Sequence, residues 1–398
     1  MKKILAAVGI VAIGLIVWSQ VFTEKAVASL GTDSFDRIEH QLKPLLTSAL
    51  ENNKIPRSIS EDGSIRWIGK GYDWTEGFWP GTCWMLYDYT KNEQWKKGAV
   101  AAQELFRHHK NLTNDHDLGF IFNNSFGKAY KVTGDETNKQ VLIDAAESLS
   151  TRFNESVGCI QSWDCVDNWQ SKRGWKFPVI VDNLMNLEML FEVSQYTGNE
   201  KYKEIAIAHA NITMKNHFRP DGSSYHVVDY DPETGETRSK ETAQGYADES
   251  AWARGQAWGL YGYTMCYRYT KDQKYLDFAK KIADFILNHP NYPEDGVPYW
   301  DFDAPRIPDA ERDASAAAIM ASAMIELSAY TNGKYLDNAK HILKSLASEE
   351  YSANPGENGN FLLKHSVGSI PHGNEIDVPL NYADYYYIEA LLRLSAKN

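Results

Sequence analysis

Apolar and polar positions follow a helical rhythm along most of the chain, and the rhythm comes in pairs. One kind of segment is small and apolar on nearly every side, as over residues 314–327, and ends in an aromatic residue and a short polar turn. The segment after the turn carries a single apolar stripe. Tyr275, Phe278, Ile282 and Phe285 share one face, as do Leu336, Ala339, Ile342, Leu343 and Leu346. The turns span residues 87–93, 130–136, 196–202, 269–275 and 330–335, where Gly, Asn and Asp end one helix and cap the next. A helix apolar all round is an inner one and a striped helix an outer one. These turns, with a closing helix over residues 381–394, predict about six helical hairpins in a double ring. The fold class is therefore all-α, an (α/α)6 barrel, with an open helical solenoid as the alternative.

Strand signals are sparse. Ser224-Tyr225-His226-Val227-Val228-Asp229-Tyr230, followed by the turn Asp231-Pro232-Glu233-Thr234-Gly235, predicts one small β-hairpin. Because the named turns are short, they share one end of the barrel. The long connections, residues 164–177, 218–250, 289–314 and 351–380, gather at the other end over the starts of the inner helices. Long polar loops over a scaffold's mouth are the usual place for a binding cleft.

One inner helix stands out. Pro178, favoured at a first helical position, predicts a helix from there to about residue 193, with Asp182 one turn in. Asp182 sits among Val181, Leu184 and Met185, and a buried carboxylate is costly unless paired or neutralised. Asp115 and Asp117 precede the helix bearing Phe126, Ala129 and Tyr130, where an aspartate is either a cap or a second acid–base group at the same mouth. Trp74, Phe78, Trp79, Trp84, His226, Gln244, Arg254 and Trp258 complete the candidate surroundings. Arg254 and Trp258 are four apart on one helical face, suited to a carboxylate and a ring. Each also has a plain reading: Arg254 as an ion-pair partner, Trp258 as core, His226 as a solvated hairpin residue.

The amino terminus reads as a leader and not as fold. Lys2-Lys3, an apolar run over residues 4–17 and Ala26-Val27-Ala28 predict a signal peptide over residues 1–28 and a single catalytic domain over 29–398, exported and periplasmic. An uncleaved anchor is the alternative. Cleavage removes three lysines and one glutamate and takes the net charge from −12 to −14. That balance excludes a general nucleic-acid or anionic-membrane binder. Four cysteines are too few for a disulfide scaffold. Cys159 and Cys165 either pair or stay free, and Cys83 and Cys266 read as core. No zinc spacing or phosphate loop is present, so neither metal nor cofactor is expected.

The set Trp74-Thr75-Glu76-Gly77-Phe78-Trp79-Pro80-Gly81, His116-Asp117-Leu118-Gly119-Phe120, Val181-Asp182-Asn183-Leu184-Met185-Asn186 and Trp252-Ala253-Arg254-Gly255-Gln256-Ala257-Trp258-Gly259 resembles the unsaturated glucuronyl hydrolase family, in order and over nearly the whole chain. The resemblance implies an (α/α)6 barrel that removes 4,5-unsaturated uronic acids from the products of polysaccharide lyases. It implies Asp182 as general acid and base and Asp117, ionised beside it, as the second essential carboxylate. His116, His226, Gln244, Arg254 and Trp258 would contact substrate, with Trp79 on the opposite wall. The partner is an unsaturated oligosaccharide. Protonating C4 of its vinyl ether and adding water at C5 needs one proton-donating group and no nucleophile. A two-carboxylate glycosidase on saturated sugars, a sugar epimerase and a non-catalytic sugar-binding protein are the alternatives.

Overall fold

The computed structural model describes residues 32–69 and 71–396. The predicted signal peptide lies outside the described residues, and none of the described helices is long and apolar enough to cross a membrane.

Six inner segments run in one direction. They are α2 (Phe78–Thr90), a π-helical stretch Gly119–Gly127 continued by α4 (Lys128–Thr133), a 3₁₀ stretch Val181–Asn186 continued by α7 (Leu187–Thr197), α9 (Ala253–Thr270), α11 (Ala314–Tyr330) and α13 (Asn381–Ser395). Each packs on the next, and α13 packs back on α2, so the ring closes as predicted. Outside them lie α1 (Thr32–Asn52), α3 (Glu93–Phe106), α5 (Glu136–Ser150), α8 (Glu200–Asn216), α10 (Gln273–Asn288) and α12 (Leu336–Leu346). The stripes fall as expected. α12 buries Ala339, Ile342, Leu343 and Leu346, whereas α11 is buried on every side from Ala314 to Ile325.

The lower turns repeat one device. Lys91, Gly134, Gly198 and Lys271 end inner helices in the left-handed region, at φ 56°, 69°, 71° and 56°. The next residue, Asn92, Asp135, Asn199 or Asp272, accepts the N–H two residues on and starts the outer helix.

The upper end holds more strand than the sequence suggests, in four small antiparallel sheets among the described residues. Two are the hairpin β1 (Pro56–Ile59) with β2 (Ile65–Trp67) and the short pair β3 (Phe153–Asn154) with β4 (Cys159–Ile160). After the one-turn helix α6 (Trp169–Lys172) comes the three-stranded sheet of β5 (Phe177–Ile180), β6 (Val227–Tyr230) and β7 (Thr237–Glu241). The last sheet is the hairpin β8 (Ser366–Ser369) with β9 (Asn374–Val378).

The expected hairpin is present as β6–β7, but Pro178 does not open a helix. Phe177 to Ile180 pair with Tyr230 to Val227. Two causes explain the difference. Val179, Ile180 and Val181 form a β-branched run that favours extended backbone. Proline, lacking an N–H, is at home on an edge strand, and β5 is one. Ser162 covers its free edge by donating its N–H to Pro178 O at 2.9 Å and accepting from Ile180 N at 3.0 Å.

Candidate active site

Asp182 is the second residue of the 3₁₀ turn that follows β5. Pairing of β5 with β6 fixes it, because the ladder continues with Val181 N–H donating to His226 O at 3.0 Å. His226 is thereby set beside Asp182, with Nε2 3.5 Å from Asp182 Oδ2. His226 Nδ1 accepts from Ala243 N at 3.0 Å and Gln244 N at 3.2 Å. The neutral ring therefore carries its hydrogen on Nε2, facing the carboxylate. Asp182 Oδ2 is buried with no hydrogen-bond partner, beside the equally unpartnered Nε2 of His226.

Asp117 stands where the next inner segment begins. Asn186 clamps the two segments together. Its Nδ2 donates to Asp117 Oδ1 and to Asn183 Oδ1, both at 3.2 Å, and its Oδ1 accepts from Phe120 N at 2.9 Å. Asn183 in turn donates to Ile160 O at 3.0 Å. The approach is close enough to require glycine at 119, where a Cβ would lie 2.3 Å from Asn186 Cα. The segment begins in π-helical turns, a conformation frequent at functional sites. Asn183 and Asn186 carry the assembly, and the sequence reading gave neither a role. Two amides in an otherwise apolar run were the signal.

Asp117 is not the plainly ionised partner expected. Burial first, then the charges of Asp115 and Asp182, push its carboxyl well above the usual range, against the Asn186 hydrogen bond and Arg152. His116, with Nε2 3.5 Å from Asp117 Oδ1, is fully buried. Burial holds its imidazole below the usual range despite Asp115, Asn183 and Asp182. Asp115, His116 and Asp117 bring ligand-type atoms within 4.8 Å of one another. Asp115 already accepts from Tyr72 and from Asp117 N, and Asp117 from Asn186, so the cluster is a hydrogen-bonded one and not an open ligand set.

Arg254 lies beneath β8. Its Nη1 donates to Val367 O and to Asp313 Oδ2, and its Nη2 donates to Gly368 O. Burial opposes its charge, but Tyr382, Asp313 and Asp182 outweigh it and hold the guanidinium above its usual range. The fork expected to grip a substrate carboxylate is thus occupied by backbone carbonyls, and Nε alone is buried without a partner. Gln244 joins the same wall, donating to Gly368 O at 3.3 Å. Trp258 is wholly buried in the floor, with Phe120 at 4.9 Å and Tyr386 at 5.4 Å between ring centres.

Trp79 is not on the wall. Phe78 faces the barrel axis, against Phe120, Tyr382, Tyr385 and Tyr386. The following residue on a helix points about 100° away, and Trp79 turns outward to line a cleft with Ala49, Leu50, Ala101 and Leu105 of α1 and α3. The half-buried aromatic on that wall is Trp74, 5.5 Å from Phe120 and 5.0 Å from Tyr382. Trp163 covers the other side, edge-on to His116 at 6.5 Å and His226 at 6.2 Å. Cys159 and Cys165 are free thiols, and Cys83 and Cys266 are buried as expected.

A closed double ring of helices with two carboxylates, two histidines and aromatic walls at the starts of its inner segments defines a barrel glycoside hydrolase. The profile of Glycosyl Hydrolase Family 88 matches residues 51–397, and the chain belongs to that family. It is 45% identical over 361 residues to the unsaturated glucuronyl hydrolase of Formosa agariphila, covering 90% of this chain and 89% of that protein. A crystal structure of an unsaturated glucuronyl hydrolase specific for heparin superposes with a TM-score of 0.86 at 46% identity, covering 92% of this chain and 96% of the other. An aspartate-to-asparagine mutant of the Streptococcus agalactiae unsaturated glucuronyl hydrolase, complexed with dGlcA-GalNAc6S, aligns at 32% identity and a TM-score of 0.75, covering 90% of each chain. The chain is accordingly an enzyme, a glycosidase of the unsaturated glucuronyl hydrolase type.

Proposed function

We propose that the enzyme releases the 4,5-unsaturated uronic acid from the non-reducing end of lyase-generated oligosaccharides by hydrating the C4=C5 vinyl ether, with Asp182 as the proton-transferring group. The observation that carries this assignment is the buried, unpartnered Oδ2 of Asp182, 3.5 Å from the Nε2 of His226. Asn186 holds the Asp117 carboxyl and Tyr72 the Asp115 carboxyl, whereas Asp182 Oδ2 is held by no hydrogen bond. Asp182 gives its proton to C4, and the cation that forms is shared by C5 and the ring oxygen. Water adds at C5 as Asp182 takes up a proton again. The resulting hemiketal opens to a ketone. The anomeric carbon, now a hemiacetal, collapses to an aldehyde and releases the neighbouring sugar. Atoms balance with one water consumed.

Asp117, clamped by Asn186, keeps the water-poor end of the site from holding two negative charges at once, which favours a proton within the pair. The cation of Arg254 lies under the site and attracts the uronate carboxylate, and Trp74 and Trp163 enclose the ring. The complex of the Streptococcus agalactiae mutant with dGlcA-GalNAc6S supports this reading, and the leader-like amino terminus supports export to the periplasm.

The test is turnover in heavy water, followed by magnetic resonance of the product at early times. Protonation by a fixed side chain places one deuterium on one face of C4. Cleavage that leaves C4 free of deuterium would overturn the assignment, because attack at the anomeric carbon never touches C4.

A further inference from the structure

Asp117 is held by two residues, Asn186 and Asp115. Asn186 reaches it from the 3₁₀ turn. On the opposite side Asp115 Oδ1 accepts the backbone N–H of Asp117 at 3.1 Å and the Tyr72 hydroxyl at 2.5 Å. Asp115 is also tied to Trp163 by a backbone bridge, so the residue that steers Asp117 is joined to the aromatic wall above His116 and His226. Tyr72 is itself anchored. Its ring meets His109 edge-on at 6.0 Å, and His109 Nδ1 lies 2.6 Å from Glu76 Oε1 in a buried pair. Four residues from two different connections thus form a continuous line ending at Asp117.

We propose that Asp115, held by Tyr72, is a positioning residue for the hydration reaction, acting through Asp117 and not on the sugar. This rests on the function proposed above. Asp115 does two things from one place. Its oxygen fixes the backbone turn that aims Asp117, and its negative charge stands next to the Asp117 carboxyl. That charge follows burial as the second cause of Asp117's raised proton affinity. The other groups facing Asp117 are His116 on its own segment, Asp182 on the 3₁₀ turn and Arg152 after α5. Arg152 opposes Asp115 and is itself committed to Thr113 O at 2.6 Å and Asp164 at 3.0 Å. Tyr72 stays a phenol, because burial and the carboxylates Asp115 and Asp117 push its ionisation well up, and it can therefore only donate to Asp115.

The experiment measures pH–rate profiles of wild type, Asp115→Asn and Tyr72→Phe on an unsaturated disaccharide. Asparagine keeps the oxygen that accepts from Asp117 N and removes the charge. With one raising influence gone, the proton shared by Asp117 and Asp182 is lost at lower pH, so the alkaline limb of kcat moves to lower pH. Tyr72→Phe keeps the charge and frees the side chain, so kcat falls about tenfold while KM stays within about twofold. An Asp115→Asn profile that superposes on wild type overturns the proposal, as does a change confined to KM, which would place Asp115 on the sugar. If Asp115→Asn fails to fold, unchanged kcat in Tyr72→Phe still sinks the idea. A wild type that leaves unsaturated disaccharides intact is a separate result: it removes the functional reading itself, and the proposal with it.

Discussion

At the scale of single residues, the site separates proton transfer from scaffolding. Asp182→Asn is nearly isosteric and leaves β5–β6 pairing untouched, so the melting temperature should hold while turnover drops by about a thousandfold or more. Near-normal turnover would return Asp182 to the role of a buried structural carboxylate. Asn186→Ala tests the clamp. It removes donors to Asp117 and Asn183 and the acceptor for Phe120 N–H, all buried. Loss of about 2 kcal/mol in denaturant unfolding is expected, with turnover falling alongside. Stability unchanged within error would show that these hydrogen bonds are readily replaced. Arg254→Ala should likewise act on both stability and binding. Its nitrogens hold Val367 and Gly368, and without them Asp313 is left as a buried anion supported by the N–H groups of Val367 and Ser315 and the Ser315 hydroxyl, with no cation.

At the scale of elements, much of the barrel was legible and the reasons for the exceptions are physical. The helical hairpins were readable because the cue is local: a left-handed Gly or Lys followed at once by Asn or Asp needs no distant partner. Substituting Asp135 or Asp272 by alanine removes only that cap, and each should lower stability by about 1 kcal/mol without altering kcat. A larger loss, or a loss of activity, would mean the lower turns are coupled to the mouth. The strands of the upper end were legible only in part. β6–β7 announces itself by its turn, whereas β5 is apolar on both faces and looks like the first turn of the helix behind it. Its extended state is decided by β6, some fifty residues away. The same limit applies within the site. Asp182, Asp117 and His226 were nameable from motifs, and they meet. Trp79 was misplaced because its motif holds Trp74, Phe78 and Trp79 within six residues, and only helix phase decides which of them faces the axis.

At the scale of the molecule, the two ends of the barrel are built for different purposes. The upper end gathers groups whose partners are incomplete. The lower end gathers charges that are fully paired. There Lys128, Arg268 and Arg393 meet Glu188, Glu326 and Glu389 in one chain of ion pairs, and Lys131 pairs with Glu192, which the Tyr269 hydroxyl links to Glu188, so four cations face four carboxylates. Lys131, Arg268 and Arg393 sit in last turns of helices, where the helix dipole favours cations. Glu389 is the hub, accepting from Tyr261 at 3.0 Å, Ser322 at 2.7 Å and Lys128 at 3.3 Å. Burial works against its charge, but Arg393, Lys128 and those hydroxyls prevail and bring its carboxyl down to about 2. A depressed carboxyl lends stability that is present above its unfolded value and lost as pH falls through the folded one. This end of the barrel should therefore weaken between roughly pH 4.5 and pH 2, the interval between those two values. Glu389→Gln removes the charge but keeps one acceptor, so it should lower the melting temperature at pH 7, where Arg393 and Lys128 lose their common partner. It should also flatten the acid limb of stability. The mutant and wild type should converge near pH 2, where wild-type Glu389 has itself taken up a proton. Thermal unfolding across pH measures both. A mutant that stays less stable by the same amount down to pH 2 would show that Glu389 acts by packing and hydrogen bonding, and that the lower network is not held by its charge.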